Sequence, residues 1–78
     1  MPNYSVDFDR TFRALADPTR RAVLARLTHG PASVKELARP FDMALPSFME
    51  HIRLMESSGL VRSEKRGRVR FCRFDPEP

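Results

Sequence analysis

Residues 33–59 read SVKELARPFDMALPSFMEHIRLMESSG, and the basic stretch LVRSEKRGRVRFCRF follows at residues 60–74. Ser33 and Glu36 have the spacing of a capping box, in which the serine hydroxyl accepts from the glutamate amide and the glutamate side chain reaches back. A short helix is therefore expected from Ser33 onward. Pro40 ends it, because proline cannot continue a helix.

A second helix follows after a tight connection. It is expected to begin near Pro46, because proline suits the first helical turn, and to end at Gly59. Its core-facing residues recur at i, i+4 and i+7, the period of an amphipathic helix: they are Phe48, Ile52 and Met55.

Beyond this helix the pattern changes from helical to β. Residues 60–65 and 69–74 are rich in β-forming residues and flank a turn at Arg66-Gly67, which predicts a hairpin. Both alternating sets of the second strand mix apolar and polar residues. The sequence therefore leaves open which of Val69, Phe71, Cys72 and Phe74 face the core.

The N-terminal part of the chain predicts two further helices. The first covers about residues 6–16, with its apolar residues Val6, Phe8, Phe12 and Leu15 on one side. The second begins at Asp17-Pro18, an N-cap followed by a first-turn proline, and ends at residues 29–31. The predicted fold is mainly α with a small β-hairpin: one winged helix-turn-helix domain over residues 1–78, with four helices and a two-stranded wing. The helix-turn-helix covers about residues 33–58 and the wing about residues 60–74.

Charge is concentrated in the predicted wing. The chain has 14 Lys and Arg against 10 Asp and Glu, a net charge of +4. The window from Arg62 to Arg73 holds six positive side chains and one negative one, a net +5, so the remaining residues sum to −1. Such a window suits an anionic partner, and on charge alone a solvated hairpin that happens to be basic is an equal alternative. Arg20 and Arg21 lie near a helix start, where an anionic partner would explain them, although ordinary surface arginines are the default.

The sequence argues against several classes of protein. No apolar run approaches the roughly 20 residues that cross a bilayer, and the N-terminus lacks the pattern of a secretory signal, so no membrane association is expected. A single cysteine, Cys72, makes no intramolecular disulfide, which is typical of a reduced, cytoplasmic protein. No nucleophile–base pair, phosphate-binding glycine loop or metal-ligand cluster is present, so neither an enzyme nor a cofactor is expected.

Two short helices followed by a basic hairpin suit double-stranded DNA. A helix fits the major groove with its N-terminal residues at base edges, while arginines on a hairpin contact phosphates or enter the minor groove. The candidate DNA-contacting residues on the second helix are Leu45, Ser47, Met49, Glu50, His51 and Arg53, and those at the hairpin tip are Lys65, Arg66 and Arg68.

Other roles remain open for several of these candidates. Ser47 is the residue most expected near a base, and Glu50 either accepts from a cytosine amino group or is a solvated charge. Met49 either meets a thymine methyl or packs under the wing. His51 either contacts a phosphate or forms a structural hydrogen bond. Arg53 is expected at a phosphate or in an intrahelical pair.

These motifs also carry a family resemblance over about residues 8–74. Residues 14–24, ALADPTRRAVL, resemble the opening signature of the ArsR/SmtB family of bacterial transcriptional repressors. SVKELA at 33–38 resembles its third helix, residues 46–61 its recognition helix, and KRGR at 65–68 its wing. The resemblance implies a homodimeric winged-helix repressor that an effector, here unknown, often releases from DNA. Two-fold symmetry of such a dimer leads us to expect a palindromic operator.

The sequence departs from the family pattern in three places. Residues 33–39 contain no cysteine, and His29 and His51 are isolated, so neither familiar metal site is supported and no metal is expected. Ala44 stands where the family usually has a capping serine. The sequence ends after the wing, without the family's usual C-terminal dimer helix, so either the sequence is trimmed of that helix or the dimer is expected to rest on the first helix alone. The candidate interface residues are Tyr4, Phe8 and Phe12.

A second function remains open beside DNA binding. The basic wing could instead meet an acidic protein in a winged-helix interaction module, an interpretation that Leu45, Met49 and Leu54 near the reading face favour. Cys72 lies beside arginines that could lower its pKa, although a lone strand cysteine is more often a small buried hydrophobe.

Overall fold

Four helices and three strands make up the computed structural model, which describes residues 4–75. In chain order they are α1 (Tyr4–Leu15), α2 (Pro18–Leu27), β1 (Ala32–Ser33), α3 (Val34–Ala38), α4 (Leu45–Ser57), β2 (Val61–Arg66) and β3 (Val69–Phe74). The architecture is a winged helix-turn-helix, as the sequence predicts: α3 and α4 form the helix-turn-helix, and β2 and β3 form the wing.

Local capping fixes the starts of α2 and α3. The Asp17 carboxylate accepts from the backbone amide of Arg20 at 3.1 Å. The Ser33 hydroxyl accepts from the Glu36 amide at 3.1 Å, and the Glu36 carboxylate accepts from the Ser33 amide at 3.0 Å, so the predicted capping box is confirmed. Ala44, the N-cap of α4, has no side chain that could accept a hydrogen bond. The helix nevertheless begins at Leu45, one residue before the predicted start.

The wing belongs to a three-stranded antiparallel sheet in the order β1-β3-β2. Pairing of Arg66 with Val69 leaves Gly67-Arg68 as a two-residue loop, one residue later than the predicted turn. Gly67 has φ 62° and is the loop's only residue with positive φ, the pattern of a type II′ turn. The third strand, β1, was not predicted, because two residues carry no readable periodicity.

The first helix differs from its predicted amphipathic pattern. It runs from Tyr4 to Leu15, two residues earlier at its start and one at its end than the predicted 6–16. Ala14 is its fully buried residue, whereas Phe12 is 67% exposed and Leu15 is 40% exposed. A small side chain lets α1 approach α2 and α4 closely, which leaves the larger Phe12 and Leu15 outside the core. The side chains of Val6, Phe8 and Tyr4 lie outside the described residues.

The hydrophobic core lies between the helices and the inner face of the sheet. On β3, Cys72 is fully buried and Phe74 packs against the core, Phe71 is half-buried on the other face, and Val69 is exposed. The inward residues of β3, which the sequence left open, are therefore Cys72 and Phe74. The core residues are Ala14, Val23, Leu24, Leu27, Ala32, Val34, Leu37, Phe48, Ile52, Met55, Val61 and Cys72.

Within residues 4–75, none of the helices combines the length and the apolar character needed to span a membrane.

Candidate nucleic-acid interface

The outward face of α4 carries Ser47, Glu50 and Arg53. Because Phe48, Ile52 and Met55 are buried, the helical period directs Glu50 and Arg53 away from the core, and both are exposed. The Arg53 guanidinium donates to the Glu50 carboxylate at 3.0 Å, an exposed i, i+3 pair. Ser47 is exposed, and no hydrogen bond engages its hydroxyl within the described chain. The helix therefore presents one unengaged hydroxyl and one paired carboxylate to a ligand.

Leu45 and Met49 lie on the flank of α4 that faces α3 and the wing. Leu45 is 51% exposed, and Met49 is half-buried and packs against the edge of the core. Both line a groove that also contacts the start of β3. Packing near the wing, one of the two roles considered for Met49, is therefore present, and contact with a thymine methyl stays a prediction.

His51 lies on the opposite flank of α4, toward α1 and α2, and its side chain is 20% exposed. The Arg20 guanidinium lies 3.0 Å from His51 Nδ1. A guanidinium only donates hydrogen bonds, so Nδ1 must accept, which places the proton of the neutral ring on Nε2. The structural hydrogen bond, one of the two roles considered for this histidine, is therefore present.

Arg20 and Arg21 form the C-terminal cap of α1. The Arg20 guanidinium donates to the carbonyls of Ala14, at 3.0 Å, and Arg13, and Arg21 donates to the Leu15 carbonyl at 2.7 Å. Positive groups at a helix C-terminus satisfy its last carbonyls and oppose its negative dipole end. Both arginines thus have an intramolecular role, which differs from the two roles considered for them, binding an anionic partner and lying free on the surface.

The N-cap carboxylate of α2 belongs to the same cluster. Asp17 Oδ2 lies 3.9 Å from His51 Nδ1. Desolvation acts to raise the pKa of Asp17, but the hydrogen bonds from the backbone amides of Arg20 and Thr19 and the positive charge of Arg20 outweigh it, so the pKa is lowered from its ordinary value of 3.8. Asp17 and Arg20 therefore join the end of α1, the start of α2 and the flank of α4.

The cations of the wing divide between two faces of the sheet. Strand alternation and the pairing of Lys65 with Arg70 place these two on the face that carries Cys72, toward α4. Arg62, Arg66 and Arg73 occupy the other face, and Arg68 lies in the loop. The net +5 of this segment is thus spread around the wing.

Half of these cations are engaged within the chain. Arg62 pairs with Asp75, and Arg66 lies 3.5 Å from Glu64 with its guanidinium 5.9 Å from the ring centroid of Phe71. Arg70 is held by a hydrogen bond to Ser63, described below. Over residues 4–75, the wing cations whose side chains have no hydrogen bond or ion pair are Lys65, Arg68 and Arg73.

A chain of hydrogen bonds connects the wing to the last turn of α4. Arg70 donates to the Ser63 hydroxyl at 2.9 Å, and Ser63 in turn donates to the Glu56 carboxylate. Because Glu56 lies on α4, Ser63 on β2 and Arg70 on β3, this chain fixes the position of the wing relative to α4.

Known proteins are similar to this chain in both sequence and fold. A family model described as a helix-turn-helix domain matches residues 15–64. A crystal structure of an ArsR family transcriptional regulator is 60% identical and superimposes with a TM-score of 0.90, covering 96% of this chain and 77% of that one. The chain belongs to the ArsR family of transcriptional regulators.

Two further relatives match most of this chain and a smaller share of their own length. The HTH-type transcriptional regulator Rv2034 of Mycobacterium tuberculosis is 41% identical over 68 residues, which are 87% of this chain and 64% of that protein. A homodimeric winged helix-turn-helix DNA-binding domain from Mycobacterium bovis, 23% identical, shares the fold with a TM-score of 0.82 over 95% of this chain and 71% of that one. This ArsR-family chain thus spans about two thirds of the length of Rv2034.

The single cysteine of this ArsR-family chain is buried in the core. Burial raises the pKa of Cys72 to about 11, the negative charge of Glu56 adds to the increase, and Arg70 only partly opposes it. The alternative of an arginine-activated thiolate is therefore wrong. Cys72 is a small apolar core residue, opposite Ala32 on β1 and Ser63 on β2.

Possible metal ligands in this ArsR-family chain are dispersed. No group of three or more His, Cys, Asp or Glu side chains that could hold a metal ion occurs in the part of the chain that the structure describes. His29 is exposed after the end of α2, and His51 is bonded to Arg20.

Proposed function

We propose that this ArsR-family protein is a sequence-specific repressor that binds double-stranded DNA as a homodimer. In this proposal the start of α4 enters the major groove, and the wing contacts the backbone or the minor groove. The observation that carries the proposal is an exposed helix face, with Ser47 and Glu50, beside a wing whose Lys65 and Arg68 have no partner in the described structure. Base-edge readers and unpaired phosphate-binding cations are the two components that DNA recognition requires.

The candidate residues take different roles in this proposal. Ser47 is the primary base reader, and Leu45 and Met49 at the helix flank meet thymine methyl groups. Glu50 keeps Oε1 in its pair with Arg53 and offers Oε2 to a base. The wing contacts are Lys65 and Arg68, with Arg66 released from Glu64 on binding.

His51 acts indirectly, since its Nδ1 is occupied by Arg20. Its role in the proposal is to hold α4 against α1 and α2. Its Nε2 proton remains available to donate to a phosphate at the edge of the interface.

The proposed dimer uses α1. Phe12 is 67% exposed and Leu15 is 40% exposed on this helix, so their burial would contribute only that fraction of the about 1.5–3 kcal/mol that full burial of such a side chain gives. Tyr4 and Phe8 remain candidates of the same helix. The homodimeric Mycobacterium bovis domain supports the assembly as a precedent within the same fold. A two-fold dimer would read a palindromic operator.

Selection from random-sequence duplexes tests the proposal. We expect a palindromic consensus, with affinity that falls steeply as salt concentration rises. Failure to enrich any duplex, together with no salt-sensitive affinity for duplex DNA, would refute DNA binding and favour the acidic-protein alternative.

Matched variants then separate charge contacts from base contacts. Lys65→Ala with Arg68→Ala should weaken binding to every duplex and reduce the slope of log K against log salt by about 0.9 for each phosphate that is no longer neutralised. Arg26→Ala, which removes one positive charge from α2, is the control, because α2 carries none of the proposed contacts, and it should leave the slope unchanged. Ser47→Ala should instead alter the preferred sequence with little change in slope.

A further inference from the structure

A groove separates the helix-turn-helix from the wing. It is bounded by α3, the start of α4 and the start of β3, and has a volume of about 520 Å³. β1 pairs only with Phe71 and Cys72, so the edge of β3 at Val69 and Arg70 is not covered by a strand, and the groove lies along it. Its volume is within the range of about 300–1,000 Å³ that is typical of small-molecule sites.

The floor of the groove is apolar. The name floor is used here for the apolar side chains of the lining, which are Val34, Leu45, Met49 and Val69, with Leu45 51% and Val69 43% exposed. Four large apolar side chains are exposed in the described structure, and Leu45 and Val69 are two of them. The other two are on α1, in the proposed dimer face. The groove therefore gathers the remaining exposed apolar surface in one place.

The rim of the groove is positive. Its cationic side chains are Lys35 on α3, Arg39 directly after α3, and Arg68 and Arg70 on the wing. Within residues 4–75, only Arg70 of these four has a hydrogen-bond partner for its side chain. The single acidic side chain of the lining, Glu36, is held in its capping box and accepts from the Ser33 amide.

A groove with an apolar floor and a cationic rim favours a ligand that has both an apolar part and a negative charge. A DNA phosphate would use only the rim, a thymine methyl would cover only Leu45 and Met49 of the floor, and a neutral hydrocarbon would use only the floor. We propose that this groove binds a free small-molecule carboxylate with an apolar chain, with the chain on Leu45, Met49 and Val69 and the carboxylate at Arg39 and Arg68.

Such a ligand would act as an antagonist of DNA binding. Leu45, Met49 and Arg68 both line the groove and belong to the proposed DNA-contacting set. A bound carboxylate would cover the first two and neutralise the third, so ligand and duplex exclude one another. This antagonism rests on the proposed function, whereas occupation of the groove does not.

Binding is tested without DNA by titrating decanoate below its micelle-forming concentration, using calorimetry and amide chemical shifts. We expect saturable binding at one decanoate per chain, with shifts at residues of α3, the start of α4 and β3. Decanol, which keeps the chain and loses the charge, and butyrate, which keeps the charge and loses most of the chain, should each bind at least tenfold more weakly. Equal binding of decanoate and decanol would overturn the proposal.

Two variants locate the site. Val69→Glu places a carboxylate on the floor, and Arg39→Glu reverses a rim charge; each should weaken decanoate binding at least tenfold. Arg73→Glu is the matched control, because Arg73 lines a separate cavity beside Phe71, and it should bind decanoate within twofold of the wild-type protein. An equal loss in Arg73→Glu and Arg39→Glu would assign the effect to net charge and overturn the site.

The antagonism is tested on a duplex obtained by the selection described above. Decanoate should raise the apparent Kd of the wild-type protein for that duplex at least fivefold, with less effect on Val69→Glu. Binding of decanoate with no effect on the duplex would overturn the antagonism and leave the site standing. If no duplex is selected, the proposed function fails, and the binding titration still decides the groove.

Discussion

Replacing Arg20 with methionine tests whether this side chain holds α1, α2 and α4 together. Methionine keeps the aliphatic stem but removes the guanidinium, which donates to the carbonyls of Arg13 and Ala14 and to Nδ1 of His51. A hydrogen bond to a charged group contributes about 1.5–3 kcal/mol, and partial exposure reduces this figure. Because the bonds to Ala14 and His51 are partly buried, we expect the free energy of unfolding to fall by about 2–4 kcal/mol.

The assay is urea unfolding at one protein concentration, since the stability of a dimer depends on concentration. Arg21→Met, which removes one exposed bond to the Leu15 carbonyl, is the control and should cost no more than about 1 kcal/mol. A double-mutant cycle of Arg20→Met with His51→Leu should give a coupling energy of about 1–2 kcal/mol. Additive losses, or equal losses in Arg20→Met and Arg21→Met, would refute this reasoning.

Three further perturbations follow from the capping and burial of single residues. Ala44→Ser should raise the free energy of unfolding by about 1 kcal/mol in a urea titration, because its hydroxyl could accept from the amide of Ser47, and no gain would contradict an uncapped helix start. Asp17→Asn keeps the cap but cannot ionise; since the folded pKa of Asp17 is lowered, the stabilisation by its charge is complete above pH 3.8, and the wild-type advantage over this variant should decline below pH 3.8 and be lost as the pH falls through the lower folded pKa in an acid titration. Cys72 should resist iodoacetamide at pH 8 until urea unfolds the protein, as mass spectrometry would show, because burial raises the pKa of its thiol to about 11; rapid alkylation of the folded protein would contradict this.

The sequence predicted those features that depend on neighbours along the chain. The Asp17 cap and the Ser33–Glu36 box join residues three positions apart, so their spacing can be read directly. The buried stripe of α4 is likewise a local period. These local signals were sufficient to predict the helix order and the wing.

The features that sequence reasoning missed depend on the packing of distant segments. Arg20 and His51 are 31 positions apart, and only the packing of α4 against α1 and α2 brings them together. The pairing of Ala32 with Cys72 has the same origin. In both cases no local sequence pattern indicates that the two residues meet. The position of Arg20 and Arg21 shortly after the end of α1 was the only sign in the sequence that they cap this helix.

The register of the wing sets rules for how its length can vary among related proteins. β3 is the central strand, fixed by β2 along its whole length and by β1 at Phe71, so the Gly67-Arg68 loop is the one end of the hairpin free to lengthen. Adding two residues to each strand would extend its reach by about 7 Å and keep every charge on its present face. Adding a single residue within β2 before Lys65 would turn that lysine to the opposite face. The wing can therefore lengthen only in steps of two residues per strand if its charges are to stay on their present faces. Such a change would alter the spacing of contacts along a DNA site while the helix-turn-helix stays the same.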